Sequence, residues 1–279
     1  MKPKSIEKTQ NLTRIAYELV RCDADLKTIL DYVVRSVKDA VGCEAVAIRL
    51  EKDDDFPYYV YDGFSEDFIS KESSLLVLDE GGKPFPCPDG CGKILDCMCG
   101  RVIMGETDIS KPFFTPRGTF FSNSTSLLLE NTSSDDRGGH TRNYCNACGF
   151  ESVLLTPLLH RGEVIGLLQI NDHRPDIFSP ELVLSLEMLC DVISVVIGHK
   201  NMFASIREDI RSTVDDTPPN TLIMCSHCKA VKHNNAWCPI EAFVKKTANV
   251  IISHAICSAC REDLLEHTFD MSNPTEHLK

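Results

Sequence analysis

Two apolar runs, SVLLTPLL (152–159) and VIGLLQI (164–170), stand only four residues apart, joined by His160-Arg161-Gly162-Glu163. Apolar and β-branched residues broken by so short a polar, glycine-containing segment spell a hairpin at the centre of a sheet. The rest of the chain must therefore supply antiparallel neighbours and something to cover them.

Around the hairpin the pattern is helical at both ends. The stretch from Asn11 to Val41 reads as two helices. In the second, Leu26, Ile29, Leu30, Val33, Val34 and Val37 recur at three- and four-residue spacing, and Gly42 stops it. EAVAIRL (44–50) and PYYVY (57–61) read as strands either side of the turn Asp53-Asp54-Asp55, with Asp62-Gly63 closing the second. Beyond the hairpin and the polar turn Asn171–Asp176, Ser179-Pro180-Glu181 opens a helix with Ser at the N-cap and Pro at the first turn. Its stripe is Leu182, Leu186, Leu189, Ile193 and Val196, and it runs toward Ile210. The only convincing linker is Asp215-Asp216-Thr217-Pro218-Pro219-Asn220. The fold class expected is α+β, in three parts: a domain over 11–200, a helical extension and linker over 201–221, and a small module over 222–267.

The residues ESVLLTPLLHRGEVIGLLQIND followed by FSPELVLSLEMLCDVISVVIG resemble a GAF domain, over roughly Asn11 to Lys200. The resemblance implies an antiparallel sheet flanked by helices, a small ligand held between sheet and crossover, and a homodimer formed through the terminal helices. YYVYDGFSEDFI, CMCGRVI, GTFFSNST and RNYCNACGFESV resemble, more narrowly, a cysteine-containing GAF subgroup of bacterial and archaeal two-component sensors. No histidine-kinase segment follows, so a signal would act in trans on a partner such as a histidine kinase or response regulator.

The chain holds 14 cysteines, most of them in close pairs. Without an export signal in MKPKSIEKTQNLTRIAYELV, a cytoplasmic location is expected, and metal ligation is a better reading than disulfides. Cys225-x2-Cys228 and Cys257-x2-Cys260, with 28 residues between the pairs, supply the four thiolates of a tetrahedral zinc site. His227, Cys238 and His254 lie nearby. The segment MCSHCKAVKHNNAWCPIEAF…ISHAICSAC also resembles a short zinc-binding tail found after receiver or sensor domains. Trp237, Ile240 and Phe243 are read as that module's minimal core.

A second set, Cys87, Cys91, Cys97, Cys99, Cys145 and Cys148, falls in the irregular stretch between strands and helices. Cys97 and Cys99 would point the same way if extended. Three readings stay open: a bound metal (zinc or an iron–sulfur cluster), a metal-free thiol switch, or reduced loop cysteines. The resemblance places Cys97, Cys99 and Cys145 at the subgroup's usual cysteine positions. The same three would be the nucleophile and resolving thiols if the chain were an enzyme of the free methionine sulfoxide reductase kind. A scaffold that senses nothing is a third possibility. Phe113, Phe114, Phe120, Phe121, Asn123, Ser124 and Thr125, with Arg49, Arg142 and Asn143 as anion-meeting groups, are the expected lining of a ligand pocket. Cys22, Cys43 and Cys190 sit among apolar neighbours and read as packed thiols.

The net charge of −12 and pI near 5.2 disfavour nucleic acid and anionic membranes. The most apolar helical run, Ser185–Gly198, is broken by Glu187 and Asp191 and reads as too short to cross a bilayer.

Overall fold

The hairpin forms as its pattern requires. Strands β4 (Ser152–His160) and β5 (Glu163–Asp172) pair along their full lengths, leaving Arg161 and Gly162 as a two-residue loop. Both loop residues have positive φ, 54° and 89°, the turn whose twist matches antiparallel strands. In the computed structural model β5 also pairs with β1 (Ala45–Leu50), and β1 with β2 (Tyr58–Asp62). On the other side β4 pairs with β3 (Phe120–Ser122). The result is one antiparallel sheet in the order β2-β1-β5-β4-β3, and the fold is α+β. The structure describes residues 3–78, 81, 83–85, 94–139, 141–212, 222–233, 236–248, 255, 257–258 and 261. It divides into two units, Met1–Phe203 and Ala204–Lys279.

Successive strand residues face opposite sides, so the sheet separates two cores. Val46, Ile48, Leu154, Leu158, Leu168 and Ile170 face the first, covered by α1 (Pro3–Arg21), α2 (Leu26–Val41) and α7 (Pro180–Ser212). Ala45, Ala47, Val153, Leu155 and Leu167 face the second. That side is covered by shorter elements: α3 (Glu66–Glu72), α4 (Cys97–Met104), α5 (Thr125–Asn131) and α6 (Tyr144–Ala147).

Helix α2 is delimited by Asp25, whose side chain accepts from Thr28 N, and by Gly42 in the left-handed region at φ 67°. Helix α1 starts well before the expected Asn11. Ile6, near that start, is exposed. Thr9 meets Ser185 at 3.2 Å and Asp23 meets Lys200 at 3.3 Å, so α1 and α7 lie side by side and run in the same direction.

Helix α7 is longer than its apolar run suggested. Pro180–Phe203, mean hydropathy 1.8, is long and apolar enough to cross a bilayer by length and composition, although half of that stretch is buried in the protein. Its inner face carries Leu182, Leu186, Leu189 and Ile193.

In the second unit, β6 (Val231–His233) and β7 (Ala236–Cys238) form a hairpin followed by α8 (Ile240–Ala248). Val231 is buried opposite Cys238. Trp237, opposite Lys232, is 55% exposed, so the expected role in that unit's core falls to Val231 instead. Period-two alternation puts Trp237 and Cys238 on opposite faces.

Candidate functional site

Helix α4 brings cysteine chemistry to the second core. Asp96 caps it, its carboxylate accepting from Cys97 N at 2.6 Å, and Gly105 at φ 71° ends it. Gly100 is required where α4 crosses the preceding strand-like segment, because a Cβ there would lie 2.7 Å from the Leu95 side chain and 2.8 Å from its backbone. Cys97 and Cys99 are thus helical rather than extended. Residues two apart on a regular helix do not face each other. They meet because Cys97 adopts φ 66°, a left-handed conformation that costs a non-glycine residue about 1–2 kcal/mol. The Cys97 and Cys99 thiols then share a hydrogen bond. That bond holds Cys97 down at about 7, against the pull of burial. The same bond, reinforced by burial, pushes Cys99 well above its ordinary value.

Cys145 arrives from α6 across the same space, and desolvation pushes it up to about 12. Behind it lies a polar layer rooted in the sheet. Gln169 Nε2 approaches Cys145 Sγ at 3.8 Å and donates to Asn171 Oδ1 at 3.1 Å, while Tyr58 OH donates to Gln169 Oε1 at 3.0 Å. The Asn171 Nδ2 atom is buried without a hydrogen-bond partner.

Cys97, Cys99 and Cys145 line a cavity of about 60 Å³, more than the ~10–15 Å³ one water needs. Its apolar wall is Met98, Phe120, Leu128, Leu129, Val153 and Leu155, and its polar edge is Thr125, Arg137, Thr141, Asn143, Tyr144 and Asn146. Of the expected pocket residues, Phe120, Thr125 and Asn143 stand here, and the others are engaged elsewhere. Phe113 and Phe114 pack on Phe120 as an aromatic cluster. Phe121 turns to the helix-side core. The Ser124 hydroxyl accepts from Leu127 N at the start of α5 and donates to Glu151. Arg49, fully buried, gives Nη1 to the carbonyls of Phe56 and Ser73 and Nη2 to that of Glu72, and stacks 3.6 Å from the Tyr58 ring centroid. Arg142 holds the Glu72 carboxylate at 3.4 Å, Asp96 at 3.2 Å and the Ser74 carbonyl at 2.9 Å. Neither arginine meets the cavity.

Asn123 has a different task. Its amide donates to Phe178 O at 2.8 Å and accepts from Phe178 N at 2.9 Å, fixing the end of β3 to the residues just before α7. The start of β3 is fixed too. Thr115 donates to the buried Glu187 of α7 at 2.6 Å, and Arg117 pairs with Asp191. The strand that carries the cavity wall is therefore tied at both ends to α7.

Among the described residues, no group of three or more His, Cys, Asp and Glu is arranged to hold a metal ion. Cys87, Cys91 and Cys260 lie outside the described residues, as do His140 and His254. Cys148 lies near the site, its carbonyl 3.1 Å from His173 Nε2. In the second unit Cys225 and Cys228 share a tight turn, with Cys225 N donating to Ala230 O and Lys229 N to Cys225 O, and Lys229 at φ 60°. The backbone N–H groups of Cys228 and His227 point at the Cys225 sulfur and lower its pKa. Donors aimed at a sulfur favour the thiolate that a soft metal needs, so this turn fits zinc. The three cavity thiols, with one hydrogen-bonded pair and a buried arginine behind them, do not assemble a closed shell. Of the three cysteines expected to be packed, Cys22 is exposed just past the end of α1, while Cys43 and Cys190 lie in the helix-side core and are pushed up by burial, Cys43 to about 12.

The GAF domain family matches residues 25–197, and the chain belongs to it. No curated protein matches the chain in sequence. Among solved structures, the GAF domain of an Acinetobacter phosphoenolpyruvate-protein phosphotransferase is similar, with 19% identity and a TM-score of 0.48, over 71% of this chain and 97% of that one. The free methionine-R-sulfoxide reductase of Neisseria meningitidis, in complex with its substrate, shares 16% identity at a TM-score of 0.47, over 73% and 95%. A domain ascribed to a two-component sensor histidine kinase protein of Sinorhizobium meliloti shares 13% at 0.43, over 67% and 99%.

Proposed function

We propose that this chain is a signal-transduction regulator whose GAF domain takes a small ligand in the thiol-lined cavity and passes the event along α7 to a protein partner in trans. The observation that carries this reading is the double tie of β3 to α7. A ligand or an oxidised thiol that moves Phe120 must strain Thr115–Glu187 or Asn123–Phe178, and so favours one setting of the helix over another. The partner is of the histidine-kinase or response-regulator kind, and the site of action is cytoplasmic. A second copy of the chain covers the outward apolar residues of α1 (Tyr17, Val20) and α7 (Leu184, Met188, Val195), all of which are exposed. Cys225, Cys228, Cys257 and Cys260 hold a structural zinc. Any metal in the GAF domain, zinc or an iron–sulfur cluster, would draw on Cys97, Cys99 and Cys145 with Cys87, Cys91 or Cys148.

Hydrogen exchange on the whole chain, reduced and then treated with diamide, tests the sensor. Protection should change together in 120–122 and in 179–191. A change confined to the crossover would sink the coupling. Elemental analysis of protein purified without oxygen should find about one zinc per chain, lost on Cys225→Ala. Iron with labile sulfide would place a cluster on the GAF cysteines. The lowered Cys97 thiol also suits a nucleophile. Turnover of free methionine sulfoxide with dithiothreitol would replace the sensor with a thiol-dependent enzyme.

A further inference from the structure

Among the described residues one cation, Arg137, stands in the cavity wall, and their bonds to it leave a particular edge unused. Arg137 lies in the turn that follows α5. Its Nη1 donates to the Thr132 carbonyl at 2.6 Å and to the Thr132 hydroxyl at 2.7 Å, which fixes the guanidinium plane. Its Nε is buried and has no hydrogen-bond partner. Among the described residues Nη2 makes no hydrogen bond, and no carboxylate pairs with Arg137. Asp136, its chain neighbour, is taken by Lys111 at 2.8 Å. Arg142, by contrast, is paired with Glu72 and Asp96.

The Nε–Nη2 edge is the side of a guanidinium that grips a carboxylate with two parallel hydrogen bonds. A cation set against apolar walls and left unpaired costs more than one that is paired. Among the described residues the remaining walls, including Met98, Phe120, Leu128, Val153 and Leu155, offer no second cation and suit hydrocarbon or thioether. With one arginine among the described wall residues, a cavity of about 60 Å³ does not suit a bulky dianion. Resting on the reading of this cavity as the ligand site, we propose that its ligand is a small organic monocarboxylate with an apolar tail. The carboxylate lies bidentate on Arg137, and the tail lies against Phe120 and Leu155, beside the thiols.

Titration calorimetry on the reduced full-length protein tests this with propanoate, butanoate and hexanoate, each against its own primary amide. The amide keeps the shape and removes the charge. At least one carboxylate should bind ten times more tightly than its amide, and Arg137→Gln should bring that ratio to about one. Arg137→Lys keeps the charge but not the fork, and should recover only part of it. If Arg137→Gln fails to fold, the acid-to-amide ratio of the wild type still decides. Amides that bind as well as the acids would overturn the carboxylate while leaving the cavity as a ligand site. A preference that survives Arg137→Gln would overturn it as well. No binding by any of the six would overturn this inference, while the hydrogen-exchange response of 120–122 and 179–191 decides separately the reading it rests on.

Discussion

The two faces of the sheet are built from the same strands to different ends. The helix-side core is aliphatic and closed by three helices, and its cysteines, Cys43 and Cys190, are held inert by burial. The crossover side is aromatic and polar, closed by four short helices, and it holds the cavity, the strained Cys97 and the polar layer of Tyr58, Gln169 and Asn171. A sheet that is secure on one side can carry strain and unpaired polar atoms on the other, because the cost of the second face is met by the first.

The sharpest way to break this contrast uses two neighbours on β4. Leu154 faces the aliphatic core and Leu155 the cavity. Leu154→Ala should cost about 4 kcal/mol, near the upper part of the range for buried leucines, because its side chain is fully buried in the aliphatic core between sheet and helices. Leu155→Ala enlarges space that already exists and should cost about 2 kcal/mol, near the lower end. Urea unfolding of both variants measures this, and equal losses would erase the distinction.

A smaller effect is expected at the crossing of α4. Gly100→Ala drives a methyl into the Leu95 backbone and should cost about 1–3 kcal/mol. It should also raise the rate at which iodoacetamide labels Cys97 and Cys99, read by peptide mass spectrometry. Unchanged stability would mean that α4 sits further from residue 95. Next come the ties to α7. Thr115→Val leaves the buried Glu187 short of a donor and should cost about 1–3 kcal/mol, whereas Arg117→Ala removes the exposed pair to Asp191 and only a long 3.9 Å approach to Glu187, and should cost less than about 1 kcal/mol. The opposite ranking would move the coupling from the buried bond to the surface pair.

The smallest effect is pH-dependent. Glu151 accepts from the hydroxyls of Ser126 and Ser124, which lower its pKa and fasten the start of α5 beside the cavity. A carboxyl depressed in the folded state stabilises above its unfolded value of about 4.5, and that stabilisation is lost as pH falls through the folded value. Glu151→Gln should therefore cost up to about 1 kcal/mol at pH 7, and the cost should shrink as pH falls below about 4.5 and through the folded value. A gap between wild type and variant that stays constant from pH 7 to pH 3 would show the bonds to be irrelevant.

Legibility followed the same division. The hairpin, α2 with Gly42, and the start of α7 were readable because each depends on its own residues: alternation, a three-to-four stripe, a cap. The cavity wall was not. Helix α4 has local signals, Asp96 before it and Gly105 after, but only eight residues between them, and the cysteine spacing read as extended. Arg49 and Asn123 read as pocket residues because their types suit ligands. Their partners are backbone groups of Phe56, Glu72, Ser73 and Phe178, which no spacing rule brings near. Arg137 sits in a polar turn with nothing in its neighbours to mark it.

The segment before β3 has one more effect. Phe121 N donates to Phe113 O, Thr115 N to Thr119 O, and Phe114 bridges Phe120, so the chain folds back along the outer rim of a strand only three residues long. A sheet's last strand is ordinarily an open template for a stranger's backbone. Here the template is already written over by its own loop. Recruitment by strand addition is closed at that rim, and a protein that reads this domain there must meet side chains rather than peptide groups.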